Sequence, residues 1–190
     1  MIYLTSDMHF NHANILAYCK RPWLQDGDYD YKTKRWASQE IKEARAEEMN
    51  EVLIANWNSV VSEGDTVYHL GDFSFSRGSS EPPQFWEDKL NGKIVHIKGN
   101  HDRSRSLDAL ECAMFKTRAF NFFLIHRPPH RVEEIPDFCD VVLCGHVHEK
   151  WDHIWVGDVP VVNVGIDVRD FKPINLNQIN SVVAKIKKER

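Results

Sequence analysis

Short apolar runs with little polar alternation recur along the chain: Ile2–Thr5, Val67–Leu70, Ile94–Ile97, Phe122–Ile125 and Val141–Cys144. Strands buried on both faces look like this, so the pattern predicts layered sheets in an α/β protein. Each run ends in residues able to bind a metal. Ile2–Thr5 leads to Asp7 and His9, and Val67–Leu70 to Gly71 and Asp72. Ile94–Ile97 leads to Gly99, Asn100, His101 and Asp102, Phe122–Ile125 to His126, and Val141–Cys144 to Gly145, His146 and His148. Ligands of layered α/β proteins bind outside the carboxyl ends of such strands. Pro160–Val164 reads as a further strand.

Helical spacing fills the intervals. Ser38 to about Trp57 gathers Ile41, Met49, Val52, Leu53 and Trp57 near one face, while Glu40, Lys42, Glu43, Glu47 and Glu51 form a solvated one. A shorter helix is expected over Gln84–Leu90, stopped by Asn91–Gly92. Asn11 is placed to cap a helix over His12–Cys19 that Pro22 ends, and Leu176–Lys188 reads as a closing helix. Loops are expected over Lys20–Ala37, Phe73–Pro83, Arg127–Pro136 and Glu149–Val159, and substrate specificity should reside in them.

At 190 residues, 42% hydrophobic and 27% charged, the chain suits one globular domain spanning 1–190, not a disordered segment. Its longest apolar stretch is too short to cross a bilayer. The opening MIYLTSD lacks the charged start and apolar region of a signal peptide. Cys19, Cys112, Cys139 and Cys144 show no C-x-x-C spacing and read as reduced thiols, so a cytoplasmic location is expected. A net charge of −4 and a pI near 6.2 argue against a surface for duplex nucleic acid and leave a small anionic substrate open.

The candidate ligands supply only nitrogen and oxygen: Asp7, His9, Asp72, Asn100, His126, His146 and His148. That set suits Mn²⁺, Fe, Zn²⁺ or Ni²⁺ and disfavours a thiolate-type structural zinc. Seven ligands exceed the needs of one ion and suit two ions about 3.5–4 Å apart sharing a carboxylate. Two divalent cations, less two aspartates and a hydroxide, leave a single positive charge that favours phosphate. Gly71, Gly99 and Gly145 are expected to permit sharp turns beside the ligands.

In order, Asp7-x-His9, Gly71–Asp72, Gly99–Asn100–His101–Asp102, His126 and Gly145–His146-x-His148 resemble the five motifs of the calcineurin-like metallophosphoesterase superfamily. The compact length and the opening Ser6–Asp7–Met8–His9–Phe10–Asn11–His12 are similar to its small bacterial and phage branch. The resemblance implies a four-layer α-β-β-α sandwich, two mixed sheets flanked by helices, with the metals at the sheet ends. It implies one metal on Asp7, His9, Asp72 and His148, and a second on Asp72, Asn100, His126 and His146, with Asp72 bridging. Mn²⁺ is the favoured ion. His101 would protonate the leaving oxygen or stabilise charge on the phosphoryl group, and Asp102 would either set its tautomer and pKa or cap the following turn. Unlike the phosphoprotein phosphatases of the superfamily, the chain places Arg77 one position late and ends its third motif in Asp102.

The implied activity is a dimetal phosphodiesterase that acts by metal-bridged hydroxide attack on a small phosphodiester or nucleotide-type substrate; nucleic-acid ends are compatible with it. The alternatives are a phosphomonoesterase on a small metabolite or nucleotide, and a non-catalytic scaffold of the same fold. Arg103, Arg127 and His12 are candidate substrate contacts. Tyr18, Trp23, Trp36, Phe73 and Phe75 are placed either to stack a base or to pack loops. His69 and His96 read as core histidines with satisfied nitrogens.

Overall fold

A computed structural model describes residues 1–75, 81–102 and 107–190. Its elements run β1 (Ile2–Thr5), α1 (Ala13–Tyr18), β2 (Tyr29–Asp30), β3 (Arg35–Trp36), α2 (Gln39–Asn58), β4 (Thr66–His69), α3 (Pro83–Glu87) and β5 (Lys93–Ile97). They continue β6 (Ala109–Leu110), β7 (Ala113–Lys116), β8 (Asn121–Leu124), β9 (Val141–Cys144), β10 (His153–Val156), β11 (Val159–Asn163), β12 (Ile174–Asn175) and α4 (Leu176–Glu189).

Two five-stranded sheets form, in the orders β12-β1-β4-β5-β6 and β10-β11-β9-β8-β7. Both are mixed. β1, β4, β5 and β6 pair in parallel while β12 is antiparallel, and parallel β8, β9 and β11 are flanked by antiparallel β7 and β10. The apolar runs are the inner parallel strands. Because side chains alternate across a strand, a run buried on both faces feeds two cores at once. Val141 and Leu143 join the core between the sheets with Leu4, Leu70 and Phe122, while Val142 and Cys144 enter a second core on the far side.

The helices divide unequally. α1, α2 and α3 cover the outer face of the first sheet, burying Leu16, Met49, Leu53, Trp57 and Trp86 against Tyr3, Val67 and Phe73. α4 sends Ile179, Val183 and Ile186 into the core between the sheets. It begins in a reciprocal Asn175–Gln178 cap. Two mixed sheets with flanking helices match the expected class. The outer face of the second sheet, however, packs against Ile135, Cys139 and Trp151 from loops.

Ser38 caps α2 through its hydroxyl, which accepts from the Ile41 amide at 3.2 Å. α1 is not capped by Asn11. The Asn11 amide donates to Asn50 Oδ1 at 2.9 Å, and His12 takes the capping position without a side-chain bond. α3 ends at Glu87, earlier than expected. The 20–37 loop contains the small β2–β3 hairpin, whose two-residue strands are too short for a periodic signal. Among the described residues, no helix is long and apolar enough to cross a membrane.

Candidate metal centre

The parallel order β1-β4-β5 brings three motif loops to the same sheet end, and β8 and β9 bring two more from the facing sheet. The first two loops run side by side beyond their strands: the Asp7 amide donates to Gly71 O, His9 to Asp72 O and Phe10 to Phe73 O, each at 3.0 Å. The Ser6 hydroxyl donates to Leu70 O at 2.9 Å. Backbone strain concentrates here. Asp7, His9, Asp72, His146 and His148 all adopt positive φ, between 51° and 71°. Non-glycine residues rarely occupy this region, and such strain clusters where function requires a particular side-chain direction.

The glycines act differently from the expectation of turns at all three. Only Gly71 has positive φ, at 98°. Gly99 and Gly145 instead provide room: a Cβ on Gly99 would strike the Asp72 carboxylate, and one on Gly145 would strike Ser6 Oγ and Asp7 Oδ2. The loops approach closely enough that only hydrogen fits.

Two groups of donors result, each with its ligand atoms within 4.8 Å of one another: Asp7, His9 and His148, and Asp72, His126 and His146. Both carboxylates are buried, Asp7 completely. Several spacings are too long for a direct hydrogen bond and suit donors that share a cation. His148 Nε2 lies 3.8 Å from Asp7 Oδ1, His9 Nε2 3.6 Å and His126 Nε2 3.4 Å from Asp72 Oδ2. His9 Nε2 is buried with no hydrogen-bond partner, while its Nδ1 lies 3.1 Å from His12 Nδ1. His126 Nδ1 donates to Leu70 O at 2.7 Å, so in the neutral ring Nε2 presents a lone pair to Asn100 Oδ1, 3.1 Å away. Two acceptors this close are reconciled by a shared cation, by a second proton on the ring, or by turning the Asn100 amide so that its nitrogen donates. The residues therefore fit a metal centre, and Asp72, within reach of His9 and His126, stands between the two groups.

Protonation follows the same geometry. Burial raises the Asp7 pKa despite the nearby histidines. Burial opposes ionisation of Asp72 too, but the neighbouring His126 ring and the His101 amide outweigh it and hold Asp72 low. His126 is raised against burial by Asp72 and Asp7. His146 is drawn down to about 4 by burial, then by the charges of His126 and Arg127.

Behind the ligands stand residues that sequence reasoning missed. Asp167 Oδ2 accepts from His148 Nδ1 at 2.8 Å, and Arg21 reaches the same carboxylate. Asn163 Nδ2 donates to the His148 and Trp151 carbonyls at 2.8 and 2.9 Å. Asn163 and Asp167 carried a legible signal, because Val161–Asp167 repeats the apolar run, glycine and carboxylate of the motif loops. Arg21 carried none. Cys19, His148 and Asp167 also cluster within ligand distance. There the Arg21 guanidinium already neutralises Asp167, and burial pushes the Cys19 thiol up, which disfavours a thiolate ligand.

The remaining predicted residues line the mouth or turn inward. Asn100 and His101 are exposed, and the His101 ring lies 5.5 Å from that of His9. Asp102 is directed at backbone: it accepts from the amides of Asp72 and Gly99 at 2.8 Å and of Phe73 at 3.0 Å. This ties the second and third loops together, a different geometry from the expected hold on His101. His12 is buried, stacked on Phe75 with centroids 4.1 Å apart, and drawn down to about 4 by burial and the charges of His101 and Arg21. Arg127 is exposed beside His126. Arg103 and Arg77 lie outside the described residues.

Phe73 belongs to the core, Trp36 donates to Asn14 Oδ1 and Trp23 packs on Phe171, whereas Tyr18 is exposed. His69 and His96 are buried as expected, but both His69 nitrogens and His96 Nδ1 lack partners; His96 Nε2 pairs with Glu87 at 3.1 Å.

Residues 41–175 match the calcineurin-like phosphoesterase superfamily domain. The chain belongs to that superfamily of dimetal-dependent phosphoester hydrolases. It is 33% identical over 191 residues to the uncharacterized protein MJ1445 of Methanocaldococcus jannaschii, covering 97% of this chain and 92% of the relative. The crystal structure of AQ665, a protein of unknown function from Aquifex aeolicus, shares the fold with a TM-score of 0.65 and 23% identity, over 96% and 98% of the two chains. The domain match omits Asp7 and His9; the pairing of the first two loops brings them to the centre.

Proposed function

We propose that this chain is a dimetal-dependent phosphodiesterase acting on a small phosphodiester or nucleotide-type substrate. The observation that carries the reading is the pair of adjacent donor groups, each with two imidazoles and a buried carboxylate, meeting at Asp72. Asp7, His9, His148 and Asp72 would hold one cation, and Asp72, Asn100, His126 and His146 the other. Mn²⁺ is our favoured pair. When bound, the cations supply Lewis acidity that activates water and orients a phosphate.

The chain's own residues provide the rest. Buried Asp7 and Asp72 anchor the centre away from bulk solvent, which strengthens their electrostatic hold. Asp72 Oδ1 accepts from the His101 amide at 2.8 Å, so the residue that fixes the centre also fixes the third loop. From that loop the exposed His101 ring would donate a proton to the departing oxygen. Arg127 would offset charge on a non-bridging phosphate oxygen.

Diester preference follows from the cations at hand. A monoester dianion calls for several fixed positive groups, and Arg21 is already committed to Asp167, which leaves Arg127 among the described residues beside His126 and His146. The test compares bis-p-nitrophenyl phosphate with p-nitrophenyl phosphate in Mn²⁺, with Asp72→Asn as the blank. Diester preference that vanishes in the variant supports the proposal. Monoester preference replaces it with a phosphomonoesterase. No turnover, with less than one ion retained per chain, replaces it with a scaffold.

A further inference from the structure

Arg21 lies outside every motif loop, yet its side chain is completely buried beneath the first of them. Nη2 donates to Asp7 O at 2.7 Å and Nη1 to Met8 O at 3.1 Å, so the guanidinium grips the loop carrying Asp7 and His9 by its backbone. Nε and Nη2 also form a two-point ion pair with Asp167, at 2.9 and 3.1 Å. Asp167 in turn accepts from His148 Nδ1 at 2.8 Å. Four separate stretches of the chain thus form one continuous connection: loop backbone, Arg21, Asp167, His148.

The other half of the centre is supported differently. His126 Nδ1 donates to a backbone carbonyl, Leu70 O. A carboxylate partner fixes both the tautomer and the orientation of a ligating imidazole and makes the bare nitrogen a stronger donor. A carbonyl fixes the tautomer with less charge. The two donor groups, alike in composition, therefore have unlike backing.

We propose that Arg21 and Asp167 are positioning residues for the Asp7–His9–His148 half alone. Asp167 fixes the His148 ring with Nδ1 toward its carboxylate and Nε2 toward Asp7, and Arg21 holds both Asp167 and the Asp7–Met8 backbone in place. The binding part of this inference rests on the dimetal reading above; the Asp167–His148 hydrogen bond stands without it.

Two measurements on the full chain test it. In Mn²⁺ titrations followed by the electron paramagnetic resonance of free Mn²⁺, Asp167→Asn should weaken one of two binding events by about 10–100-fold and leave the other within about twofold. Because Asp167→Asn strands a buried guanidinium, the double variant Arg21→Met with Asp167→Asn, which removes both charges, should show the same selective loss with a folded metal-free circular dichroism spectrum. Arg21→Lys, which keeps the charge and loses the fork, should fall between wild type and the double variant. Two unchanged affinities, or two that fall together, overturn the proposal.

In metal-free protein, histidine ¹⁵N–¹H spectra should show the His148 Nδ1–H as a slowly exchanging, hydrogen-bonded proton in wild type and lose that signal in Asp167→Asn. An unchanged Nδ1–H signal overturns the proposal whatever the metal data show. A wild type that binds fewer than two ions but shows the expected loss of the Nδ1–H signal in the variant overturns the dimetal reading and keeps the Asp167–His148 connection.

Discussion

Replacing Gly71 by alanine asks how tightly the motif loops are packed. Gly71 has φ +98°, a region L-residues avoid at a cost of about 1–2 kcal/mol. A Cβ there would lie 2.5 Å from His126 Nδ1 and 2.7 Å from both Gly99 N and Gly99 Cα. Two of these contacts are backbone, which cannot swing away, and overpacking of this kind costs about 1–3 kcal/mol. Together the two terms predict a loss of roughly 2–5 kcal/mol, or a fall of roughly 4–20 °C in Tm for a domain of this size.

His126 must yield as well, so the Leu70 bond breaks and the ion held with Asp72 and His146 weakens. Controls separate the terms. Gly27 has φ +88° with nothing within 4 Å of a Cβ, and Gly64 has open space without positive φ. Gly27→Ala should therefore show the conformational cost alone, and Gly64→Ala neither cost. Thermal melts of the metal-free chain and Mn²⁺ titrations would report both effects. A Gly71→Ala chain as stable as Gly27→Ala, with both ions bound at wild-type affinity, would refute the close-packing argument.

Other residues make separable predictions. His101→Ala should retain both ions and lower kcat on bis-p-nitrophenyl phosphate by about 10²-fold or more; loss of metal would make its role structural. Asp102→Ala removes an acceptor of three amides and should cost about 1.5–3 kcal/mol in metal-free melts. Wild-type melting would return Asp102 to the task of orienting His101. Acid should also weaken the metal-free fold. His12 titrates at about 4 when folded and near 6.5 when unfolded, so the unfolded chain binds the proton first and stability falls as pH drops from about 6.5 to about 4. His12→Gln should remove up to about 3 kcal/mol of that loss, as read from urea melts at pH 7 and pH 4; an unchanged slope means that the folded ring protonates normally.

The strands and the main helix were legible because their signals are local. Val141–Cys144 is β9 as expected, and Ser38 caps a helix over Gln39–Asn58. The donor residues were legible for a related reason: a strand buried on both faces must end where a polar side chain begins. The β2–β3 hairpin escaped because two-residue strands have no period to detect. Asn11 was misjudged, and the partners of Asp102 were left open, because a carboxylate or an amide in a loop has several possible partners and only the folded loops select among them.

Sequence by itself determined which side chains could hold a metal and that they sit at strand ends, since both follow from residue identity and short-range hydrophobic pattern. Only the tertiary structure decided how closely the motif loops approach one another and why Gly99 and Gly145 are needed for space. It also decided which backing each imidazole receives. The reason is distance along the chain. Arg21 and Asp167 lie 146 residues apart and form their ion pair only when β1 and β11 bring their loops to one sheet end. Nothing in either neighbourhood records the other's charge.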